Sequence, residues 1–353
     1  MAGRLRHSLL RSQQLGLVAV LLVLGAALTL AAGTHPDPLT GGSVNNFLNA
    51  HTLIQMATDA SAFAIMGVGA TVVIISGGID LSVGAIYALA GVAMAMVLRA
   101  AGPMAPFAAV CLGLGTCLAV SLACGLANGT MVIGLGVHPF IITLGTMWML
   151  RGLAFVVSHA ESILVPGALT SVAKAPLGLG TALYPVPLLL MVAVTVAGGV
   201  YLARTVMGRH IFAVGGNPEA SRFSGLNVNR IRLGVFVLSG LTAGLAAFLG
   251  AAFYGSATSS DANGYELYVI ASAVVGGASL TGGKGSAMSA MLGALLIVMI
   301  RQAIRTLHLD QNYEWIIIGG AMIVAVVLDQ GGTRLLARRL APVAGTSRHP
   351  SQP

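Results

Sequence analysis

The chain is a succession of long apolar segments joined by shorter polar connections. Lipid offers no hydrogen-bond partners to a backbone, so segments of this kind cross membranes as helices of about 20 residues. Of 353 residues, 56% are hydrophobic and 8% are charged, against about 25% charged residues in soluble domains. The sequence therefore predicts an all-α, polytopic membrane protein.

About ten transmembrane helices are predicted. Their approximate limits are residues 15–32, 53–76, 82–98, 106–125, 139–157, 185–203, 233–253, 267–280, 286–304 and 315–328. The shorter segments are candidates for broken or half-spanning helices, which are tolerated only where backbone is buried or lines a cavity. The first segment could be a signal peptide, but apolar segments follow it to the end, so an uncleaved helix is expected. The predicted arrangement is an N-terminal tail (1–14), a transmembrane domain (15–330) and a C-terminal tail (331–353).

The basic residues predict the orientation. If ten helices alternate from a cytoplasmic N-terminus, the inside receives thirteen of the eighteen Lys and Arg residues, as the positive-inside rule expects. These are Arg4, Arg6, Arg11, Arg204, Arg209, Arg222, Arg230, Arg232, Lys284, Arg334, Arg338, Arg339 and Arg348. Both tails are then cytoplasmic, and segment 33–52, which has no Lys or Arg, lies outside. The net charge of +8 does not indicate nucleic-acid binding. Such binding would need a basic face with stacking aromatics, whereas the Lys and Arg residues here lie between apolar segments.

The longest polar interruption, residues 204–232, contains a short helix whose ends can be predicted. Asn217 suits the N-cap, Pro218 suits the first helical position, and Glu219 complements the positive end of the helix dipole. Gly225 suits the C′ position after the last turn. We call residues 204–232 the 204–232 loop.

A helix this short is marginal by itself, because isolated helices need about 12 residues or more. Ala220 and Phe223 are three residues apart and share a face that could pack against another surface. Two interpretations are open: a loop lying on its own membrane domain, and a docking helix for a cytoplasmic partner.

Glycine motifs occur at several helix positions. Residues 77–84 and 276–283 align as G-G-x-[DS]-L-[ST]-x-G, and each follows an apolar segment. They could mark related halves of a transporter or arise by chance in a chain with 47 glycines. Each predicts a helix end, a glycine turn and a new helix, capped by Asp80 or Ser82 in the first and by Thr281 in the second. The G-x-x-x-G motifs at 125–129 and 240–244 predict close helix packing.

Polar side chains at membrane depth are candidate functional residues. Asp59, Asp80, Asn128, His138, Arg151 and Arg301 form this set. Asp80 could simply cap a helix or could line the transport path or its gate. His138 precedes Pro139 and is expected at a helix boundary. Thr143 and Thr146 could bond their own backbone or line a path.

Motifs for catalysis or nucleotide binding are missing from the sequence. Residues 278–285 resemble a phosphate-binding loop only at Gly283-Lys284 and lack its first Gly and its final Ser or Thr. Cys111, Cys117 and Cys124 lie in one apolar segment without zinc-site spacing, so they are expected to be packing residues. No catalytic site, cofactor or metal is expected, and any ATPase must be a separate chain.

Three blocks of sequence resemble the membrane permeases of bacterial ABC importers for monosaccharides, the ribose, xylose, arabinose and galactofuranose type. The blocks are residues 76–85, residues 139–152 and residues 215–225, within a likeness that runs from about 52 to 328. The resemblance implies an ABC importer permease fold of about ten helices in the bacterial inner membrane. It also implies a second permease subunit, two cytoplasmic ATPase subunits and a periplasmic sugar-binding protein as partners.

As polar side chains at membrane depth, Asp80, Ser82, Asn128, Thr143 and Thr146 are the candidates for the translocation path or gate. By the same resemblance, the short helix would be the ATPase-coupling element, with Gly216, Asn217, Glu219, Ala220 and Gly225 as its residues. The chain departs from the family pattern at His138, where Pro is common, and at Tyr268, where the family often has Asp. Because Tyr268 lacks that carboxylate, no cargo or binding-protein contact is transferred to this position.

Two alternative functions remain. A branched-chain amino-acid ABC permease would share the architecture, but we would expect it to lack the 77–84 block. A membrane channel or embedded enzyme would need a repeated pore motif or clustered catalytic side chains, and the sequence has neither.

Overall fold

The computed structural model describes residues 2–36, 42–177 and 183–340. Its helices are α1 (Ala2–Ala31), α2 (Ala50–Ile75), α3 (Val83–Ala101), α4 (Pro106–Leu135), α5 (Pro139–Ser158), α6 (Gly167–Ala173), α7 (Val186–Arg204), α8 (Val206–Gly216), α9 (Pro218–Phe223), α10 (Val228–Tyr254), α11 (Tyr265–Val275), α12 (Ala287–Thr306) and α13 (Tyr313–Leu340). Four short strands are β1 (Thr34–Pro36), β2 (Ser43–Asn45), β3 (Ile163–Leu164) and β4 (Ser256–Ala257). The predicted all-α class is confirmed. Residues 341–353, with Arg348 and the end of the predicted C-terminal tail, lie outside the described residues.

The helices match the predicted segments closely. In the described part of the chain, eight helices are long and apolar enough to cross a membrane: α1 to α5, α7, α10 and α12. The other two predicted spans correspond to α11 and to the apolar part of α13, residues 313–327. Since α11 has 11 residues, it rises only about 16 Å and reaches about halfway across a bilayer. A half-spanning helix, expected from the short segments, is therefore present.

Helix α2 lies at the centre of the fold. Its most apolar stretch is 89% buried, against 6% for α1 and 61% for α10. Phe63, Ile65 and Met66 on α2 are almost completely buried, and α2 packs against α7, α10, α11 and α12. A helix that is apolar on every face must be surrounded by other helices or by lipid, and here it is surrounded by other helices.

Both G-x-x-x-G motifs lie in the contact between α4 and α10. A Cβ at Gly125 would come within 2.7 Å of the Phe236 carbonyl, and one at Gly129 would meet Leu233. On the facing helix, a Cβ at Gly240 would come within 2.5 Å of the Ser121 carbonyl. Only glycine allows the two backbones to approach this closely, so the predicted close packing is confirmed.

The two ends of the bundle carry different structures. Helix α10 has 27 residues and is about 40 Å long, so α8 and α9, before it, lie far from β4, after it. The Gln14 amide bonds the Ser286 hydroxyl at 3.1 Å, which brings the start of the first apolar segment to the α9 end. At the opposite end, β3 pairs with β4, and β1 pairs with β2 within segment 33–52.

Helices α2 and α11 end in the same glycine turn. The amide of Gly78 donates to the Val73 carbonyl at 3.0 Å, and that of Ala278 donates to the Ala273 carbonyl at 2.9 Å. Each turn has a glycine with a positive φ, +85° at Gly77 and +98° at Gly277, but Gly77 is the first glycine of its motif and Gly277 is the second glycine of its own. The two helices therefore end in the same kind of turn, shifted by one residue relative to the aligned motifs.

The predictions for the second half of these motifs are partly wrong. Helix α12 begins at Ala287 and is capped by Ser286, whose hydroxyl accepts from the Ser289 amide. Thr281 lies in the preceding turn, where its hydroxyl is 2.9 Å from that of Ser279. The turn is longer than the sequence match indicated, so the cap moves to the last polar residue before the apolar segment.

Candidate functional site

Asp80 lies at the centre of a buried polar cluster in the turn between α2 and α3. Its side chain is 2% exposed. One carboxylate oxygen, Oδ1, accepts hydrogen bonds from the Ser82 amide at 2.9 Å and the Ser82 hydroxyl at 2.6 Å. The other, Oδ2, accepts from the Ser239 hydroxyl on α10 at 2.8 Å. A buried carboxylate needs this many donors to offset the loss of hydration.

Asn128 extends the cluster to α4. Its side-chain amide donates to the Ser82 hydroxyl at 2.7 Å. Its carbonyl oxygen Oδ1 is buried and has no hydrogen-bond partner among the described residues. We call Asp80, Ser82, Asn128 and Ser239 the Asp80 network. It joins the α2–α3 turn to α4 and α10 and leaves one acceptor unused.

The two threonines on α5 lie near this turn but bond mainly to backbone. The Thr143 hydroxyl is 3.0 Å from the Pro139 carbonyl and 3.2 Å from the Ile79 carbonyl, next to Asp80 in the chain. The Thr146 hydroxyl donates to the Thr143 carbonyl at 3.2 Å. Thr143 therefore joins α5 to the turn, and Thr146 bonds within its own helix.

The expectation that Asp80 or Ser82 caps α3 is wrong in its geometry. Ser82 occupies the N-cap position, but its side chain accepts no bond from the helix backbone. Asp80 accepts from an amide two residues on, which forms an Asx turn before the helix. Ser239 was missed because a lone serine in an apolar segment carries no signal that separates it from a packing residue.

The short helix in the 204–232 loop has the predicted ends. The Asn217 side chain accepts from the Ala220 amide at 2.9 Å, and Pro218 is the first helical residue. Gly225 has φ +82°, and the amide of Leu226 donates to the Ser221 carbonyl at 3.0 Å. This pairing closes the helix as a Schellman motif. Helix α8, just before it, was not predicted.

The predicted packing face of α9 does not pack on this chain. Ser221 is buried, whereas Glu219, Ala220 and Arg222 are exposed. Phe223 is 93% exposed, which is unusual for an aromatic side chain next to a folded domain. The sequence correctly identified Ala220 and Phe223 as one face, but no residue in the described part of the chain covers it.

A contact between backbones connects the 204–232 loop to the membrane helices. A Cβ on Gly215, at the end of α8, would overlap the carbonyl of Ile75 at the end of α2. That carbonyl also accepts from the Gly283 amide at 2.8 Å. A Cβ on Gly282 would come within 3.2 Å of the Gly77 Cα. We call these residues the glycine contact. It joins α8, the α2–α3 turn and the α11–α12 turn.

The remaining polar candidates are paired. Asp59 accepts from Gln55 at 2.9 Å and lies 3.5 Å from Arg305. The buried Arg151 donates to the carbonyls of Ser259, Asp261 and Ala262 at 2.8, 2.6 and 3.2 Å, respectively. His138 caps α5, with its Nδ1 3.3 Å from the Phe140 amide. Arg151 therefore anchors the connection between α10 and α11, and His138 is the predicted boundary residue.

Tyr268, where the chain departs from the family pattern, is part of an aromatic cluster. Its hydroxyl donates to Glu314 at 2.8 Å, and Glu314 lies 2.9 Å from the guanidinium of Arg301. That guanidinium lies over the rings of Phe63 and Tyr268, at 5.7 and 5.4 Å from their centroids. A carboxylate is therefore present beside this position, but it comes from α13.

Comparison with known proteins gives consistent matches over most of the chain. Residues 52–327 match the family described as "Branched-chain amino acid transport system / permease component". The D-allose transport system permease protein AlsC of Escherichia coli (strain K12) is 36% identical over 286 residues, 80% of this chain and 85% of the relative. The ribose import permease protein RbsC of the same strain is 33% identical over 318 residues, 90% and 93% of the two chains. The L-arabinose ABC transporter permease protein AraH of Azospirillum brasilense is 33% identical over 316 residues, 89% and 87% of the two chains.

Proposed function

Because the chain belongs to the branched-chain amino acid transport system permease family, we propose that it is the membrane subunit of an ATP-driven importer for a monosaccharide. The relatives named above transport or import allose, ribose or arabinose according to their names. Their shared cargo class favours a sugar over a branched-chain amino acid. Their different sugars, at nearly equal identity, select no particular one.

The structure supports a gate role for the Asp80 network more than a direct contact with cargo. Asp80, Ser82 and Ser239 are buried and bond to one another, so in this state they offer cargo no free group. They hold the α2–α3 turn against α4 and α10, while Thr143 holds it against α5. A path could open there if these bonds broke together. The free oxygen of Asn128 is the one acceptor ready for a new donor.

We assign the coupling role to α9. Both ends of this helix are satisfied by residues within or next to it, which gives a rigid element, while none of the described residues covers its outer face. Gly216 and Asn217 connect it directly to the glycine contact, and Glu219, Ala220 and Gly225 set its charge, face and end. A push on α9 would reach the ends of α2 and α11 through backbone atoms in van der Waals contact, with no flexible side chain between them.

The proposed partners follow from the family. They are two cytoplasmic ATPase subunits at the α9 end, a second permease subunit, which is this chain or a paralogue, and a periplasmic sugar-binding protein at the opposite end. In this arrangement both termini and the 204–232 loop are cytoplasmic, and segment 33–52 is periplasmic. No catalytic residue is assigned to this chain, and ATP hydrolysis belongs to the partner.

Transport assays test the cargo class. Reconstituted vesicles that contain the permease, with the ATPase and trapped ATP on the inside and the binding protein on the outside, should take up a labelled monosaccharide. Allose, ribose, arabinose and leucine should be compared at equal concentration. Uptake of leucine without any sugar would support the amino-acid alternative, and ATP-independent flux would support a channel.

Labelling tests the orientation. Single cysteines at Ser224 and at Ser43 should be introduced into a variant without Cys111, Cys117 and Cys124. In intact cells an impermeant maleimide should react with the cysteine at 43 and not with the one at 224. Reaction of the cysteine at 224 from outside would contradict the proposed topology and, with it, the docking of a cytoplasmic ATPase on α9.

A further inference from the structure

A polar cavity opens at the α9 end of the bundle, between the α4–α5 turn and the α9–α10 turn. It has a volume of about 540 Å³, and its lining includes Gly136, His138, Arg222, Asn229 and Arg232. We call it the Arg222–Arg232 cavity. Its lining includes Gly77 of the glycine contact but no residue of the Asp80 network, and the transport mechanism proposed above assigns no role to its two arginines.

The two guanidinium groups at this cavity have no counterion. Within the described part of the chain, neither Arg222 nor Arg232 forms an ion pair or a hydrogen bond, and the two are close enough to repel each other. Arg232 is partly buried, so water screens this repulsion less than at an open surface. The arrangement is electrostatically unfavourable until an anion enters.

Helix geometry adds to the positive potential. Helix α5 begins at Pro139 and α10 begins at Val228, so the N-termini of both helices lie at the cavity. Each N-terminus carries roughly half a positive charge. Arg232 lies in the second turn of α10, near this positive end, where a cation is disfavoured unless an anion accompanies it. Two cationic side chains and two helix N-termini therefore converge on one space.

Exposed apolar side chains flank the cavity. Leu135 is 65% exposed and Ile141 is 59% exposed, on the last turn of α4 and the first turn of α5. A soluble phosphate compound has no apolar part to contact these side chains, whereas the acyl chains of a lipid would lie against them. Basic pockets between transmembrane helices at the cytoplasmic face are suited to anionic headgroups.

We propose that the Arg222–Arg232 cavity binds the phosphate headgroup of an anionic phospholipid. A headgroup with two phosphates, as in cardiolipin, can neutralise both guanidinium groups at once, so it should bind more tightly than phosphatidylglycerol. A bound lipid would hold α9 at a fixed distance from the α4–α5 turn. The proposal concerns the full chain in a bilayer and holds whether or not the cargo is a sugar.

Native mass spectrometry of the purified full-length protein tests the proposal, with cardiolipin, phosphatidylglycerol and phosphatidylcholine titrated separately. Arg222→Gln and Arg232→Gln should each weaken cardiolipin binding by roughly fivefold, and the double variant by roughly 25-fold, since each arginine contributes about one such factor. Arg230→Gln is the matched control, because Arg230 is exposed on the same helix and does not line the cavity. It should bind cardiolipin as the parent does.

A second measurement separates binding from folding. If the arginines repel each other without a lipid, Arg232→Gln in lipid-free detergent should melt no lower than the parent protein. Cardiolipin should raise the melting temperature of the parent and of Arg230→Gln, but not that of the double variant. A large loss of lipid-free stability in Arg232→Gln would assign a structural role to this residue and overturn the proposal.

Other results would also overturn it. Equal cardiolipin binding by the parent and the double variant would place the lipid elsewhere, and equal binding of phosphatidylcholine would remove the role of charge. Saturation by inorganic pyrophosphate, with no effect of any lipid, would indicate a soluble phosphate ligand. Loss of ATPase binding in the double variant, with unchanged lipid binding, would make the cavity a protein contact.

Discussion

The Asp80 network and helix α9 are both polar features of an apolar chain, and they are completed in opposite ways. In the network, side chains from different helices satisfy one another out of contact with water. In α9, the backbone ends are satisfied locally, but the side chains of the outer face are exposed among the residues that the structure describes. The hydrogen bonds of the network are satisfied within the chain, except at one oxygen of Asn128. Helix α9 is fully formed and capped, but its outer face is exposed.

This difference separates two kinds of sensitivity to mutation. A change in the network should act first on folding, because each lost bond leaves a buried group without a partner. A change on α9 should leave folding almost intact and act on assembly. The glycine contact lies between the two regions and should show both effects. Five substitutions, grouped in four predictions, test this division, from the largest expected effect to the smallest.

Asp80→Leu should have the largest effect. It removes the acceptor of three hydrogen bonds and leaves buried donors on Ser82 and Ser239, each at a cost of about 1–3 kcal/mol. We expect a strong loss of folded protein, measured by size-exclusion chromatography and melting temperature, together with loss of uptake. Asp80→Asn keeps an acceptor and should be expressed near the normal level. Normal stability and uptake in Asp80→Leu would show that the network is incidental.

Gly215→Ala should have the next largest effect, because its Cβ would overlap the Ile75 carbonyl. Moving backbone to accommodate a methyl group costs about 1–3 kcal/mol, so the melting temperature should fall by several degrees and ATPase coupling should weaken. Gly216→Ala is the control for stability, since a Cβ there meets nothing within 4 Å. Equal melting temperatures for the two variants would argue against a tight glycine contact.

Gly225→Val and Glu219→Lys should uncouple the protein while leaving the membrane domain folded. Valine at φ +82° is strained by roughly 1–2 kcal/mol, and a lysine at the N-terminus of α9 opposes the helix dipole. Both variants should insert in the membrane but lose ATPase stimulation and uptake. Co-purification with the ATPase and assays of ATP hydrolysis measure this. A complex that forms and is fully stimulated would favour the alternative interpretation, in which the segment is a surface loop without a coupling role.

Phe223→Ser should have the smallest effect on the isolated chain. Because the ring is 93% exposed, the variant should have the same melting temperature as the parent protein. If the ring is an anchor for the partner, affinity for the ATPase should fall by about tenfold or more. Leu164→Ser is a matched control at the opposite end of the bundle, where the side chain is 75% exposed. Unchanged ATPase affinity in Phe223→Ser would mean that the partner does not cover this face.

The sequence predicts the features that depend on local chemistry. Asn217 and Gly225 mark the ends of α9 because capping involves residues within one turn of each other. The glycine pairs at 125–129 and 240–244 mark close packing because their spacing repeats along one face. The order of the helices follows from the order of the apolar segments, because each segment is a continuous stretch of the sequence.

Features that depend on distant contacts could not be predicted. Ser239 bonds Asp80 from a helix 159 residues away in sequence, and a lone serine in an apolar segment shows no sign of this. Gly215, Gly282 and Ile75 meet only after three turns converge. Thr281 was assigned as a cap because it matches Ser82 in the aligned motif, yet the turn that contains it is longer. In each case the determining partner lies in another part of the chain.

The shortness of α11 has a consequence for how the protein is made. A helix of 11 residues is too short to partition into a bilayer by itself, and the turn that follows it bonds to another segment of the chain, through the Gly283 amide and the Ile75 carbonyl. Residues 265–286 should therefore remain outside the lipid during synthesis until α12 emerges and the two enter as a pair. The surface on which α11, α12 and the turn between them pack is formed by α2 and the end of α8, which are translated earlier. Biogenesis should then proceed from the N-terminal helices to the C-terminal ones, and a chain that is truncated before α12 and released from the ribosome should leave α11 accessible to protease.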